Sequence, residues 1–206
     1  FLKRVAALGP LAQPLQAQHI QQLPHAIHKQ GDHRRAGTWD ARPLLAPALQ
    51  GHDLGLVSEA GMPAVADPGS SVVRAAHDLG IEVRPLVGPV SMLLALAASG
   101  LNGQSFAFVG YLPQEASRRA TRLRELEAWA QQSGQSQLFI ETPYRNAALL
   151  QALLQQLRPD TRLAVCSGLT LAQQRCTSLR VADWRRRSAA LTADLSAQPA
   201  VFAIGP

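Results

Sequence analysis

"LVSEAGMPAVADPG", Leu56 to Gly69, is the stretch on which the reading of this chain turns. It opens as a short apolar strand, then breaks into small residues, glycine and two prolines before helical periodicity resumes. Its charged groups are Glu59 and Asp67, with no Lys or Arg near. Such a run packs little core, and two readings follow. One is a plain turn, since Gly and Pro mark turns of every kind. The other is a backbone pocket. There Gly61 and Gly69, and Gly88 further on, lack the Cβ that would keep a ligand from main-chain N–H and C=O groups. Pro63, Pro68 and Pro89 would hold the loops without needing ladder bonds.

On either side of this stretch the pattern is α/β. "ARPLLAPALQGHD" predicts a helix ending at Gly51, and "LGLVSE" a strand leading into the loop. "SSVVRAAHDLG" predicts a helix with Val72, Val73, Ala76 and Leu79 on one side and Gly80 as its C-terminal cap. "IEVRPLV" is a predicted strand, "GP" at 88–89 a tight turn, and "VSMLLALAASGL" another helix. This alternation is what a parallel α/β sheet requires, and ligands of open α/β sheets bind outside the carboxyl ends of the strands. At the start, Phe1, Leu2, Val5 and Leu8 fit one helical face, and Pro24 interrupts a weak helix in "QHIQQLPHAIHKQ". His19, His25, His28 and His33 lack any Cys or carboxylate pattern beside them, so they are surface histidines rather than metal ligands.

"NGQ" at 102–104 is a turn or linker, and a boundary near Gln104 divides the chain into α/β domains 1–104 and 105–206. Beyond it, "SFAFVGYL", "SQLFIET", "TRLAVCSGLT" and "PAVFAIGP" are predicted strands. "EASRRATRLRELEAWAQQSG" and "YRNAALLQALLQQLRP" are the helices between them. The loop after the second of these strands offers Glu141, Thr142, Tyr144 and Arg145; Glu141 and Arg145 also fit a simple ion pair at a strand end.

Composition sets the class. With 206 residues, 47% of them apolar and 17% charged, the chain suits a globular fold with a sizeable core. The two cysteines, Cys166 and Cys176, give neither a disulfide framework nor metal spacing, and a cytoplasmic setting is expected. The longest uncharged run, Pro85 to Gln114, is cut by turn residues, and its helix is too short for a bilayer of about 30 Å. The net charge of +6 is almost all arginine, Lys3 and Lys29 being the only lysines. Arginine forks suit carboxylate and phosphate, though a high-GC codon bias enriches arginine equally well.

The order of four segments is more telling than any one of them. "LVSEAGMPAVADPG", "PLVGP" with an apolar helix and "SGL", "FAFVGYLP" with an Arg-rich helix, and "FIETPYRN" together resemble the tetrapyrrole methylase superfamily. Within it they are most similar to the branch of ribosomal RNA small-subunit methyltransferase I, which methylates a cytidine ribose 2′-hydroxyl. The resemblance runs from about Leu54 to Leu171. It implies two α/β domains with S-adenosyl-L-methionine in the cleft between them, and a homodimer. It assigns Ala60, Gly61, Met62 and Val65 to the cofactor through backbone contacts, and adds Val90, Ser91, Glu141 and Gly168 at matching loop and strand ends. The chain departs from the branch in places. "SEAGMP" stands for "SDAGTP", Val90 takes a hydroxyl position, and Gly168-Leu169-Thr170 loses a carboxylate. The opening strand and its glycine-rich loop, usual in the family, are expected to be missing.

The resemblance leaves the acceptor open. Ribosomal RNA or the small ribosomal subunit is one, a tetrapyrrole or other small molecule a second, and a non-catalytic cofactor-binding domain a third reading. Glu59, Asp67 and Glu141 are candidate general bases for a hydroxyl acceptor, while Asp67 equally suits a helix cap. Arg118, Arg119, Arg122 and Arg124 are candidate phosphate contacts, as is "WRRR" at 184–187, although arginine faces of helices are commonly just solvated.

Overall fold

The computed structural model describes residues 13–24, 39–59, 61–191 and 198–206, together with Leu2, Lys3, Ala7, Gly9 and Leu195. Phe1, Val5, Leu8, His25, His28, His33 and Ala60 lie outside the described residues. By its internal contacts the chain forms two compact units, Phe1–Pro89 and Val90–Pro206. The division falls one helix before the boundary expected near Gln104, because the apolar helix Ser91–Ser99 packs on the strands that follow it.

In the first unit a 3₁₀ turn Arg42–Leu45 runs into helix α1, Ala46–Leu49, and helix α2 spans Ser70–Asp78. Ala41, Leu45, Ala75 and Ala76 form its core, with Trp39, Val72, Leu79 and Ile81 packed against them. The end of α2 follows from Gly80. At φ +69° it lets its own N–H reach the His77 carbonyl at 3.1 Å and the Ile81 N–H reach Ala76 at 2.9 Å. These bonds satisfy carbonyls that a helix terminus otherwise leaves open. At the other end the N-cap is Gly69, at φ +135°.

Two sequence expectations fail in this unit. Neither "LGLVSE" nor "IEVRPLV" forms a strand, and the parallel sheet predicted for 1–104 is absent among the described residues. A strand exists only through ladder bonds to a neighbour. Among the described residues no backbone hydrogen bond joins these two segments. Their apolar side chains stay in solvent instead: Val57 is 64% exposed, Leu86 83% and Val87 fully.

The second unit carries the sheet. Helix α3 is Ser91–Ser99, followed by β1 (Phe106–Tyr111), α4 (Ala116–Ser133), β2 (Ser136–Glu141), α5 (Asn146–Gln156), β3 (Arg162–Ser167), β4 (Arg175–Arg180), α6 (Val181–Leu191) and β5 (Ala200–Gly205). The five strands lie in the order β1-β2-β5-β3-β4. Only β1 and β2 run parallel; β5 is antiparallel to both β2 and β3, and β4 to β3. The sheet is therefore mixed. Strand β4, "RCTSLR", has no apolar run to betray it and was missed in the sequence.

Period-two alternation divides the strand residues between two layers. Phe139, Leu163, Val165, Phe202 and Ile204 join α4, α5 and α6 through Leu123, Leu126, Leu149, Leu150, Leu153 and Trp184. Leu138, Ala164, Cys166, Val201 and Ala203 join α3 through Met92, Ala95 and Leu96. The spacing 92, 95, 96, 99 is the buried stripe of an ordinary helix. Two of the buried polar side chains show how such groups are satisfied. The Glu127 carboxylate accepts the Arg158 N–H at 2.8 Å and the Thr161 hydroxyl, and the Trp184 indole donates to the Leu163 carbonyl at 2.7 Å. Among the described residues no helix is long and apolar enough to cross a membrane.

Two measurements test this arrangement. Thermolysin, which cuts before Leu and Val, is expected to nick first within 83–87, where backbone lacks regular structure and side chains are exposed. A first nick near Gln104 would restore the sequence-derived boundary. The second concerns Cys166 and Cys176, free thiols directly opposite each other on β3 and β4. Burial, aided by a hydrogen bond with Cys176, pushes the Cys166 thiol up to about 12. The thiolate is the reactive form. At any pH well below about 12, Cys166 therefore stays protonated, and iodoacetamide is expected to modify the native chain once, at exposed Cys176. Mass spectrometry showing two adducts before denaturation would contradict this.

Candidate functional site

In the first unit the loop of Leu56–Gly69 is held by its own main chain. Ser58 Oγ donates to the Gly61 carbonyl at 3.1 Å, Ala64 N–H to Pro68 at 3.2 Å, and Val65 N–H to Met62 at 3.3 Å. Its backbone is unusual: Gly61 has φ +77°, and two alanines, Ala64 and Ala66, sit at φ 64° and 56°. Left-handed non-glycine residues carry a cost and collect at ligand-binding loops and other functional segments. The two glycines differ in kind. A Cβ on Gly69 would meet Leu56 Cδ2 at 2.9 Å, so Gly69 serves the packing of the loop on its own strand-like start. Among the described residues a Cβ on Gly61 would meet only the Pro89 carbonyl oxygen, at 3.9 Å. Gly61 is thus open, and the "SEAGMP" and "VGP" loops, separate in sequence, come together at this point. Met62 is half-buried and Val65 exposed beside it; Glu59 is exposed and Asp67 half-buried.

In the second unit, strand register brings the remaining candidates to one end of the sheet. Glu141 pairs with Ala200, and Ala200 with Ser167, the residue before Gly168. Helix α3 starts at this end too, because its far end lies at the other: a Cβ on Gly205 would strike Leu101. Val90, the N-cap of α3, and Leu169 both pack against the α3 layer of the core, and Ser91 is exposed. Gly168 is buried, at φ +56°, its N–H on the Pro199 carbonyl at 3.1 Å. Thr170, at φ +72°, donates its N–H to Gln174 Oε1 at 3.1 Å and closes the turn toward β4.

Glu141 is already engaged. Its Oε1 accepts the Thr142 N–H at 2.7 Å and the Thr142 hydroxyl at 3.2 Å, and pairs with Arg145 Nη2 at 2.8 Å. This carboxylate hydrogen bond holds the Arg145 guanidinium still further above its ordinary range. The ion pair that the sequence allowed is therefore formed. Among the described residues Glu59 and Asp67 have no such donors.

The four arginines of α4 do not form one track. Arg122 pairs with Glu125 at 3.1 Å, Arg124 donates to Gln156 at 3.2 Å, and half-buried Arg119 donates to the Gln114 carbonyl at 2.9 Å. Arg118 is exposed and makes no hydrogen bond or ion pair among the described residues. Arg185 of the "WRRR" segment is used structurally, donating to the carbonyls of Leu154 and Leu157. Sequence reasoning missed Tyr111. The only signal for it was Gly110, whose φ of +74° accompanies a register shift that sets Tyr111 opposite Ile140.

Comparison with known proteins agrees with the motif order. Ribosomal RNA small subunit methyltransferase I of Mesorhizobium japonicum is 41% identical over 132 residues, 64% of this chain and 44% of that protein. The proteins of that name from Vibrio cholerae and Pseudomonas aeruginosa are each 32% identical, over 74% and 77% of this chain and 50% and 54% of theirs. The chain spans about half the length of these relatives. The crystal structure of the methyltransferase CobJ superposes with a TM-score of 0.51 at 22% identity, over 80% of this chain and 69% of that one, a likeness of fold alone. The family described as Tetrapyrrole (Corrin/Porphyrin) Methylases matches residues 3–184, nearly the whole chain, and to this family the chain belongs.

Proposed function

We propose that this chain belongs to an S-adenosylmethionine-dependent methyltransferase that modifies a ribose 2′-hydroxyl of ribosomal RNA, working in the cytoplasm as a homodimer. The observation that carries the cofactor reading is the loop at Gly61. Two alanines and a glycine there adopt left-handed backbone, no side chain among the described residues fills the space a Cβ would take, and the loop meets Pro89. Such a loop fits a ligand recognised through main-chain groups. The RNA acceptor rests on the relatives named ribosomal RNA small subunit methyltransferase I and on the arginine-borne charge of +6.

When bound, the cofactor supplies an electrophilic methyl group on a sulfonium. The residues of this chain have the tasks of binding, orientation and water exclusion. Gly61, Met62 and Val65 present backbone and apolar surface without a competing charge. A hydroxyl acceptor must lose a proton, and Glu59 or Asp67 is better suited than Glu141, whose Oε1 already takes three donors.

Gly61→Val tests the reading. Valine at φ +77° is strained and points branched methyls into the open space. Calorimetry is expected to show at least about a tenfold loss of S-adenosylmethionine affinity. Gly103→Ala, with open space and no special backbone, serves as the neutral control. Labelled methyl should pass from the cofactor to small ribosomal subunits rather than to porphyrin acceptors. Unchanged binding by folded Gly61→Val would remove this loop from the site, and label found only on porphyrins would replace the acceptor.

A further inference from the structure

We propose that Tyr111, Tyr144 and Arg145 form a seat for an unpaired nucleotide of single-stranded RNA, at the carboxyl ends of β1 and β2. The inference rests on the RNA reading above and deepens it by naming where an RNA base is held.

The strand register gathers the three residues. Tyr111 ends β1 opposite Ile140, the residue before Glu141, and the 3₁₀ turn Pro143–Arg145 follows within two residues of β2. A register shift between Phe108 and Tyr111 breaks the alternation of faces just before Tyr111, and such irregularities commonly re-aim a side chain at a strand end.

The rings have no core to join. Tyr144 is 71% exposed and Tyr111 60%, although each has a large apolar face. Bases offer a matching π-face, and aromatic side chains bind unpaired bases by stacking whatever their identity. A duplex hides those faces, so the ligand is single-stranded.

Arg145 is fixed beside the rings. Its guanidinium carbon lies 4.9 Å from the Tyr144 ring centroid, Nη2 is on Glu141 at 2.8 Å, and Nη1 donates to the Tyr144 hydroxyl at 2.9 Å. Nε is buried and has no partner among the described residues. Two of five donors are committed, and the planar fork keeps others for a phosphate oxygen. Glu141 is a positioning residue: buried and clasped by Thr142, it sets the guanidinium plane. Unpaired Arg118, in the first turn of α4 after the loop that leaves β1, adds a cation for the neighbouring backbone.

The test is fluorescence anisotropy with labelled oligouridylate and oligoadenylate at several salt concentrations. Tyr111→Ala and Tyr144→Ala are each expected to weaken binding about fivefold or more and to leave the salt slope unchanged. Tyr144→Phe, which keeps the ring, should retain affinity. Arg145→Gln should make the slope shallower by about 0.7, one phosphate contact. Both rings are exposed, so circular dichroism and melting should match the parent chain. If the parent chain binds RNA and both alanine variants bind it equally well, the seat is wrong and the RNA reading stands. If the parent binds neither oligonucleotide, both fall. Loss of porphyrin binding, rather than RNA binding, in the alanine variants would also overturn the seat.

Discussion

Strand β5 meets protein on both edges and both faces, and that single constraint organises the second unit. All six of its residues are buried. Its edges are satisfied by antiparallel ladders to β2 and β3. Phe202 lies parallel to Phe139 with ring centroids 6.0 Å apart, and Val201 and Ala203 meet α3 on the opposite side. Burying such a strand is favourable only if every main-chain group is paired, since an unpaired buried amide costs on the order of 1–3 kcal/mol. The antiparallel setting also aligns Glu141, Ala200 and Ser167 at one end of the sheet. The chemistry-bearing residues of the unit gather there because the central strand runs that way.

The sequence made some of this plain and concealed the rest for identifiable reasons. Strands β2, β3 and β5 are apolar runs buried on both faces, and α3 and α4 show the spacing of helices with one buried stripe. Those patterns are local. "IEVRPLV" has strand composition but no ladder partner, and pairing is a property of two segments rather than one. Strand β4 shows the converse: "RCTSLR" has little apolar content, yet β3 offers it a complete register. The site divides in the same way. Gly61 was legible as an open glycine. Gly69 was mistaken for its equivalent because the contact with Leu56 crosses thirteen positions. Tyr111 was hidden behind a register shift that only the pairing of β1 with β2 reveals.

The two units also differ in how they carry apolar surface. The second buries its large side chains around Trp184, Phe139 and Phe202. Among the described residues, the first leaves Leu86 and Val87 exposed and buries mostly alanine and leucine. Less burial means less of the hydrophobic term that opposes chain entropy. Loops that bind ligands are commonly found at this less stable end of a structure.

The spatial order β1-β2-β5-β3-β4 also has a consequence in time. During synthesis β3 and β4 emerge as a hairpin, with β2 already made, yet neither β2 nor β3 can pair with the other, because the strand that separates them is still to come. Until Gly205 has left the ribosome, two sheet edges remain open and the stacking partner of Phe139 is missing. Long-range pairing of this kind is slow, and open edges are prone to mispairing. Docking of β5 is therefore the committing step in forming the sheet, and the window before it is when the nascent unit most needs shielding from other chains.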